Sequence, residues 1–125
     1  MKRGLTLVEV LVSIVLLAGV LLTMAKFSAD LAHSSGSARL MATAAQLVAD
    51  RLETVKGAPR YSAIESLYVA TESPVPGFTG YTRKTMVLRV GGQPTDSIDY
   101  KIVTVEVSNA GLTKPVRKTT VIAPF

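Results

Sequence analysis

The sequence contains no cysteine and only one histidine, His33. Without cysteine there is no disulfide, no thiolate metal site, no lipid attachment through sulfur and no cysteine nucleophile. His33 lies in a serine-rich segment, and no second histidine is present to complete a metal site, so we expect it to be exposed. A glycine-rich phosphate loop and a nucleophile elbow are also missing. We therefore expect no enzymatic activity, no catalytic residue, no cofactor and no metal ion.

Length and charge set further limits. The chain has 125 residues, which is enough for one domain at most. Its formal net charge is +5, and part of this comes from Lys2 and Arg3 at the N-terminus. From Gly57 onward there are eight basic and five acidic residues. That excess is too small to indicate nucleic-acid binding by itself.

A long apolar run, Leu5 to Ala25, contains a single charged residue, Glu9. As a helix the run spans about 32 Å at 1.5 Å per residue, which matches a hydrocarbon core of roughly 30 Å. A carboxylate there costs on the order of 2.5 kcal/mol or more without a partner, so such residues are usually functional. Lys2 and Arg3 before the run indicate a cytoplasmic N-terminus. The sequence thus predicts a membrane-spanning segment whose Glu9 requires a specific partner.

The helical pattern continues beyond the apolar run. Between Ala38 and Lys56, apolar residues recur at spacings of three and four, which is typical of an amphipathic helix. They are Met41, Ala44, Val48, Leu52 and Val55. Gly57 and Pro59 form a helix stop. The segment from His33 to Ser37 is poor in helix formers. Because no proline interrupts it, we expect one continuous helix rather than a bend.

After Pro59 the period changes from that of a helix to that of strands. We expect a short helical turn over 60–67 and a loop over 71–80. Three later segments alternate in the manner of strands. They are Tyr81–Val90, Asp99–Ser108 and Val116–Ala123. A small sheet needs an apolar cover on one face, and the amphipathic helix supplies it. The predicted fold is α+β: a long N-terminal helix, membrane-spanning in its first half, packs through its second half on a small antiparallel sheet of about three strands.

The N-terminal order of residues resembles a known family signature. Gly4 follows a basic leader and precedes Leu5, Thr6, two apolar residues, Glu9 and an uninterrupted apolar helix. This order resembles the N-terminus of type IV prepilins and of the related pseudopilins of type II secretion. The usual first mature residue of that family is phenylalanine, and Leu5 departs from this.

The resemblance implies how the N-terminus is processed and used. Prepilin peptidase is expected to cut between Gly4 and Leu5 and to methylate the new amine of Leu5. A glycine before the cut allows close approach of the peptidase to the backbone. The assembly residues are then Leu5, Thr6 and Glu9, with the Leu5 amine of one subunit beside the Glu9 carboxylate of a neighbour. In a low-dielectric core, loss of either partner leaves the other charge without a counter-charge.

The resemblance also implies an organisation, a location and partners. Residues 1–4 are the leader, 5–28 the transmembrane or assembly half of the helix, 29–57 its amphipathic half, and 58–125 a small β-rich head. The protein is expected in the bacterial inner membrane as a single-pass protein with its N-terminus cytoplasmic. It would then move into a periplasmic pseudopilus or an extracellular pilus. Expected partners are other pilin or pseudopilin subunits, the prepilin peptidase, an inner-membrane assembly platform and, before assembly, membrane lipid.

Within the family, the small head favours a minor pilin or minor pseudopilin. Many major pilins carry a cysteine pair near the C-terminus and a proline near the end of the transmembrane half. This sequence has no cysteine and has Lys26 near the position of that proline. The segment from Ala44 to Glu53 also resembles a stretch found in minor subunits. A major pilin subunit is the alternative within the family.

Two other hypotheses stay open, one from a different class of protein and one that adds ligand binding to the pilin hypothesis. A secreted or single-span anchored domain with an extracellular binding role would use Thr23-Met24-Ala25 as a cleavage site or keep the helix as an anchor, but it leaves Glu9 unexplained. A filament-borne adhesin or DNA-capture subunit would add binding of DNA or a surface ligand to the head. For DNA, the candidate contacts are Arg83, Lys84 and Arg89.

Overall fold

The computed structural model describes residues 4–125, so the leader residues Lys2 and Arg3 lie outside the described range. The chain forms two compact units, one ending at Gly36 and one spanning Ser37–Phe125. A single helix, α1 (Leu7–Lys56), contributes residues to both units. The expectation of one continuous helix is confirmed, because every residue of the serine-rich stretch is helical.

The unit that ends at Gly36 is a bare apolar helix with a short lead-in. Every described residue from Gly4 to Gly36 is exposed, including the large apolar side chains that extend to Leu31. By length and composition α1 is suited to crossing a membrane, and the same features suit a signal or an anchor. No described side chain of this unit contributes to the hydrophobic core.

The second unit contains the end of α1, a short helical turn and a sheet. A 3-10 turn, Tyr61–Ala63, leads into α2 (Ile64–Tyr68). The strands are β1 (Ala70–Glu72), β2 (Tyr81–Gly91), β3 (Asp99–Asn109) and β4 (Val116–Ile122). They form one antiparallel sheet in the order β1-β2-β3-β4. The α+β class is confirmed, with four strands where about three were expected.

The additional strand is β1, and part of it was expected to be loop. It has only three residues, which is too few to show the alternation that marks a strand in sequence. It forms because Ala70, Thr71 and Glu72 pair with β2 in register. A bidentate hydrogen bond from Arg83 on β2 to Glu72, with N–O distances of 2.5 and 2.9 Å, fastens the pairing.

The predicted packing of the second half of α1 on the sheet is confirmed. The helix buries five apolar residues: Ala44, Leu47, Val48, Leu52 and Val55. They belong to one core cluster with the inward side chains of the sheet: Tyr81, Val103, Val105, Val107 and Ile122. The alternating valines of β3, Val103, Val105 and Val107, therefore form its buried face. On β2, Thr85 is buried and Leu88 on the opposite face is exposed.

The predicted apolar face of the helix was wrong at one residue, Met41. Met41 is 55% exposed, whereas Leu47, which the pattern omitted, is only 3% exposed. Leu40 packs against the core in place of Met41. A Cβ added to Gly111 would clash with the Cδ1 atom of Leu40. The helix face that packs on the sheet is therefore wider than the spacing of apolar residues predicted. It is also rotated about the helix axis relative to the predicted face.

Two arginines tie α1 and α2 to the sheet through polar contacts. Arg51 donates to the Thr85 hydroxyl at 3.1 Å and to the Tyr68 carbonyl at 3.0 Å. Arg83 also donates to the Leu47 carbonyl of α1 at 3.4 Å. Because these groups are partly buried, each hydrogen bond satisfies a polar atom that water does not reach freely.

Candidate functional site

The four residues singled out in the sequence all lie at the start of α1. Gly4, Leu5 and Thr6 precede the helix, and Glu9 lies in its first turn. All four are exposed and together line an open recess. They are neighbours because they are close in sequence, and among residues 4–125 no more distant residue lines this recess.

Thr6 is the cap of the helix. Its Oγ1 atom accepts a hydrogen bond from the backbone N–H of Glu9 at 3.3 Å, and its carbonyl accepts from Val10 at 3.2 Å. The first N–H groups of a helix lack partners within the helix, and threonine is among the residues that supply one. Thr6 and Glu9 have the spacing of a capping box. The capping role of Thr6 was not predicted, although this spacing was the signal for it.

Glu9 combines an ionisable side chain with an apolar surrounding sequence. The Ser13 hydroxyl donates to the Glu9 backbone carbonyl at 2.8 Å. The positive end of the helix dipole favours a carboxylate in this first turn. Within residues 4–125 the ion pairs join other residues, and Glu9 takes part in none of them. A cation for Glu9 must therefore come from outside this range or from another molecule.

Gly4 is not required by the fold of the described chain. A Cβ built at Gly4 has no atom within 4 Å. The glycines with positive φ are Gly77, Gly80, Gly91 and Gly92, so the backbone at Gly4 does not demand glycine either. The reason for a glycine at position 4 therefore lies outside the packing of this chain.

The residues considered for DNA contact do not share one surface. Arg83 points to the helix side of the sheet, where it bonds Glu72 and the Leu47 carbonyl. Lys84, the next residue, is exposed on the other face. Arg89 donates twice to Asp99, at 3.0 and 2.8 Å. Two of the three guanidinium or ammonium groups are thus engaged with carboxylates of the same sheet.

A polar cluster around Tyr61 was not anticipated from the sequence. Lys101 is 1% exposed, and its Nζ atom donates to the Tyr61 carbonyl at 2.8 Å and lies 4.5 Å from the centre of the Tyr61 ring. The Tyr61 hydroxyl donates to Asp99 at 2.9 Å. Burial, with the bond to Asp99, raises the pKa of Tyr61, and the Arg89 hydrogen bond lowers the pKa of Asp99.

Hydrogen bonds in this cluster join the 3-10 turn to β3. Across the described residues, no buried side-chain nitrogen or oxygen lacks a hydrogen-bond partner. In the same part of the chain, no group of three or more histidine, cysteine or carboxylate side chains is placed to hold a metal ion.

The chain was compared with protein-family models, with curated proteins and with solved structures, and none of them matches it.

Proposed function

We propose that this chain is a structural subunit, a minor pilin or minor pseudopilin, of a type IV pilus or a type II secretion pseudopilus. One observation carries the proposal. Glu9 has no ion-pair partner within residues 4–125 and lies one turn inside an exposed apolar helix. Gly4 and Leu5 immediately precede that helix, as in the family that the N-terminus resembles.

The exposed apolar helix needs an apolar surrounding. Its side chains are covered by lipid while the subunit is in the bacterial inner membrane, with the N-terminus cytoplasmic. They are covered by neighbouring helices once the subunit enters a filament. The same surface serves both states, because a helix satisfies its own backbone hydrogen bonds in either one.

Processing supplies the missing cation. Cleavage between Gly4 and Leu5 creates an amine that is largely protonated near neutral pH. Placed beside Glu9 of a neighbouring subunit, this amine neutralises a carboxylate that is costly to leave alone in an apolar bundle. The pair forms only when subunits are staggered correctly, so it also sets their axial register.

The first test concerns processing. In cells with an active prepilin peptidase, N-terminal sequencing and mass spectrometry of the mature protein should find Leu5 as a methylated first residue. Gly4→Val should block cleavage, because the added side chain obstructs the backbone at the cut. Gly36→Val is the matched control, because a Cβ at Gly36 also has no atom within 4 Å. A mature protein that still begins at Met1 would contradict the proposal, and one that begins near Lys26 would support a secreted domain instead.

The second test concerns assembly. Glu9→Gln keeps the shape of the side chain and removes its charge. We expect normal membrane insertion but loss of incorporation into filaments, measured by the chain recovered in sheared filament fractions or in crosslinked assembly complexes. Glu53→Gln is the control, because Glu53 lies on the exposed side of α1 and forms an ion pair with Lys56, three residues along the same helix. Normal incorporation of Glu9→Gln would remove the proposed pairing role.

A further inference from the structure

The sheet of the second unit has two open edges with unlike chemistry. The strand order places β1 at one edge and β4 at the other. β4 has seven residues and carries Arg117 and Lys118, both exposed, just after Lys114. β1 carries no cation and ends in Glu72. An open strand edge presents unpaired N–H and C=O groups that can accept another strand.

The directions of the two edges are compatible. Each strand is antiparallel to the next, so across four strands β1 and β4 are themselves antiparallel. A second copy set beside the first in the same orientation therefore presents its β1 antiparallel to β4. Val69, directly before β1, is already extended, with φ −69° and ψ 104°, so the pairing segment can include it.

The outer face of the sheet, the one turned away from α1, has rows of side chains that stop at β4. One row is apolar: Leu88 is opposite Ile102, which is opposite Val121. Leu88 is 62% exposed and Val121 is 61% exposed. A second row is of threonines, with the Thr104 and Thr119 hydroxyls 3.1 Å apart. A further strand beside β4 would extend each row by one residue.

In one register of β1 against β4, β1 extends both the apolar row and the threonine row with a matching side chain. With Glu72 opposite Lys118, Thr71 falls opposite Thr119 and Val69 opposite Val121. Glu72 and Lys118 then lie on the α1 side of the sheet, because their partners Arg83 and Val105 are both on that side. The apolar row gains a valine that is 52% exposed and the threonine row gains a threonine. Opposite charges and like side-chain types across a strand pair are favourable.

Charge favours pairing of β1 with β4 over pairing of β4 with the β4 of another copy. Cations on an edge strand commonly protect it from indiscriminate pairing. Pairing of β4 with the β4 of another copy would bring the Lys118 ammonium groups of the two copies close together, which is unfavourable. Arg117 is on the opposite face and is already paired with Glu106. Lys118 favours β1 instead, because the Glu72 carboxylate is on the same face and its bond to Arg83 leaves lone pairs free to accept from Lys118.

We infer that two copies of this chain join sheet to sheet, with β1 of one copy paired antiparallel to β4 of the other and Glu72 opposite Lys118. This contact lies outside the N-terminal helix and does not depend on cleavage after Gly4. Its failure can therefore be distinguished from a failure of the proposed processing, which is read at the first residue of the mature chain.

The absence of cysteine allows a direct test by disulfide crosslinking of the full chain in membranes. Cells co-express one chain with Thr71→Cys and another with Thr119→Cys, each with its own epitope tag, and the membranes are oxidised. We expect disulfide-linked heterodimers. The matched control replaces Thr119→Cys by Thr104→Cys, which is on the same face but one strand further in, about 4.8 Å farther away. The control pair should crosslink little, because a disulfide needs Cα atoms closer than about 7 Å.

Two outcomes would overturn the inference. One is equal crosslinking of Thr71→Cys with Thr119→Cys and with Thr104→Cys. The other is that Thr119→Cys chains link mainly to each other, which indicates pairing of β4 with itself. Adding Lys118→Glu to the Thr119→Cys chain should lower the heterodimer yield by about two- to fivefold, the effect of one exposed cross-strand ion pair. Lys114→Glu, placed before β4, is the control for net charge, and an equal loss with it would contradict the register.

Discussion

Glu72 is a carboxylate whose ionisation is linked to folding of the sheet. Its side chain accepts two hydrogen bonds from Arg83, and this bonding, more than the opposing effect of burial, lowers the pKa of Glu72 below its ordinary value of 4.5. A carboxyl group with a lowered pKa in the folded state stabilises the fold above its unfolded pKa. That stabilisation is lost as the pH falls through the folded pKa.

The prediction from Glu72 concerns pH dependence. At pH 7, Glu72→Gln should lower the free energy of unfolding by roughly 1.5–3 kcal/mol, the range for hydrogen bonds to a charged group. The difference from the unmodified chain should shrink as the pH falls below 4.5. The measurement is denaturant unfolding of the full chain in detergent micelles, followed by near-ultraviolet circular dichroism of the tyrosines. Glu53→Gln is the control, and a Glu72→Gln difference that stays constant from pH 7 to pH 3 would argue against the linkage.

Lys101 allows a second prediction at the residue scale. Its buried ammonium group bonds the Tyr61 carbonyl and lies over the Tyr61 ring. Lys101→Met keeps the length of the side chain but removes the hydrogen bond from the ammonium group to that carbonyl, which then accepts only from the Ile64 backbone N–H. We expect a loss of about 1.5–3 kcal/mol in the free energy of unfolding, the range for a hydrogen bond that involves a charged group. Lys84→Met, on the exposed face of β2, should change it by less than about 0.5 kcal/mol. Equal effects of the two variants would show that the buried bond contributes little.

At the element scale, α1 packs on the sheet through Leu47, whereas Met41 is exposed. The sequence pattern predicted the reverse for these two residues. Leu47→Ala should lower the free energy of unfolding by about 2–5 kcal/mol, because it opens a cavity in the core. Met41→Ala should cost far less, because Met41 is largely exposed. Denaturant unfolding of both variants in the same micelles tests this. A larger loss with Met41→Ala would mean that the helix meets the sheet through the face first predicted.

The elements that could be predicted are those with long periodic patterns. β2, β3 and β4 alternate over many residues, and α1 has a clear stop at Gly57, so each was recognised close to its observed bounds. β1 was missed because pairing with β2, rather than its own three residues, makes it a strand. Leu47 was missed because the width of a buried helix face depends on how the sheet lies against it, which periodicity does not specify.

The placement of the candidate-site residues at the start of α1 was predictable for a different reason. Its residues lie within six positions of one another, so no tertiary arrangement had to be guessed. The cap at Thr6 was also encoded locally, as the spacing of Thr6 and Glu9, and was simply not recognised. The polar cluster of Tyr61, Asp99 and Lys101 could not be predicted, because Tyr61 is 38 and 40 positions from its two partners and meets them only in the folded structure.

For the whole molecule, the proposed location predicts an orientation in the membrane. Lys2 and Arg3 should hold the N-terminus in the cytoplasm and place the residues after α1 on the other side. A C-terminal reporter enzyme that is active only outside the cytoplasm should therefore be active. Replacing both residues with glutamate should reduce that activity, whereas Lys26→Glu on the far side should not. A reporter that is inactive when fused to the unmodified chain would exclude this orientation.

The unlike edges of the sheet have a consequence for stoichiometry. Because β1 of one copy would meet β4 of another, the contact is heterologous, and a pair of chains still has one unused edge of each kind. Such an array has polarity and no inherent stopping point. Its length is then limited by whatever else binds a terminal edge, so a single capping protein with only one matching strand would be enough to end it.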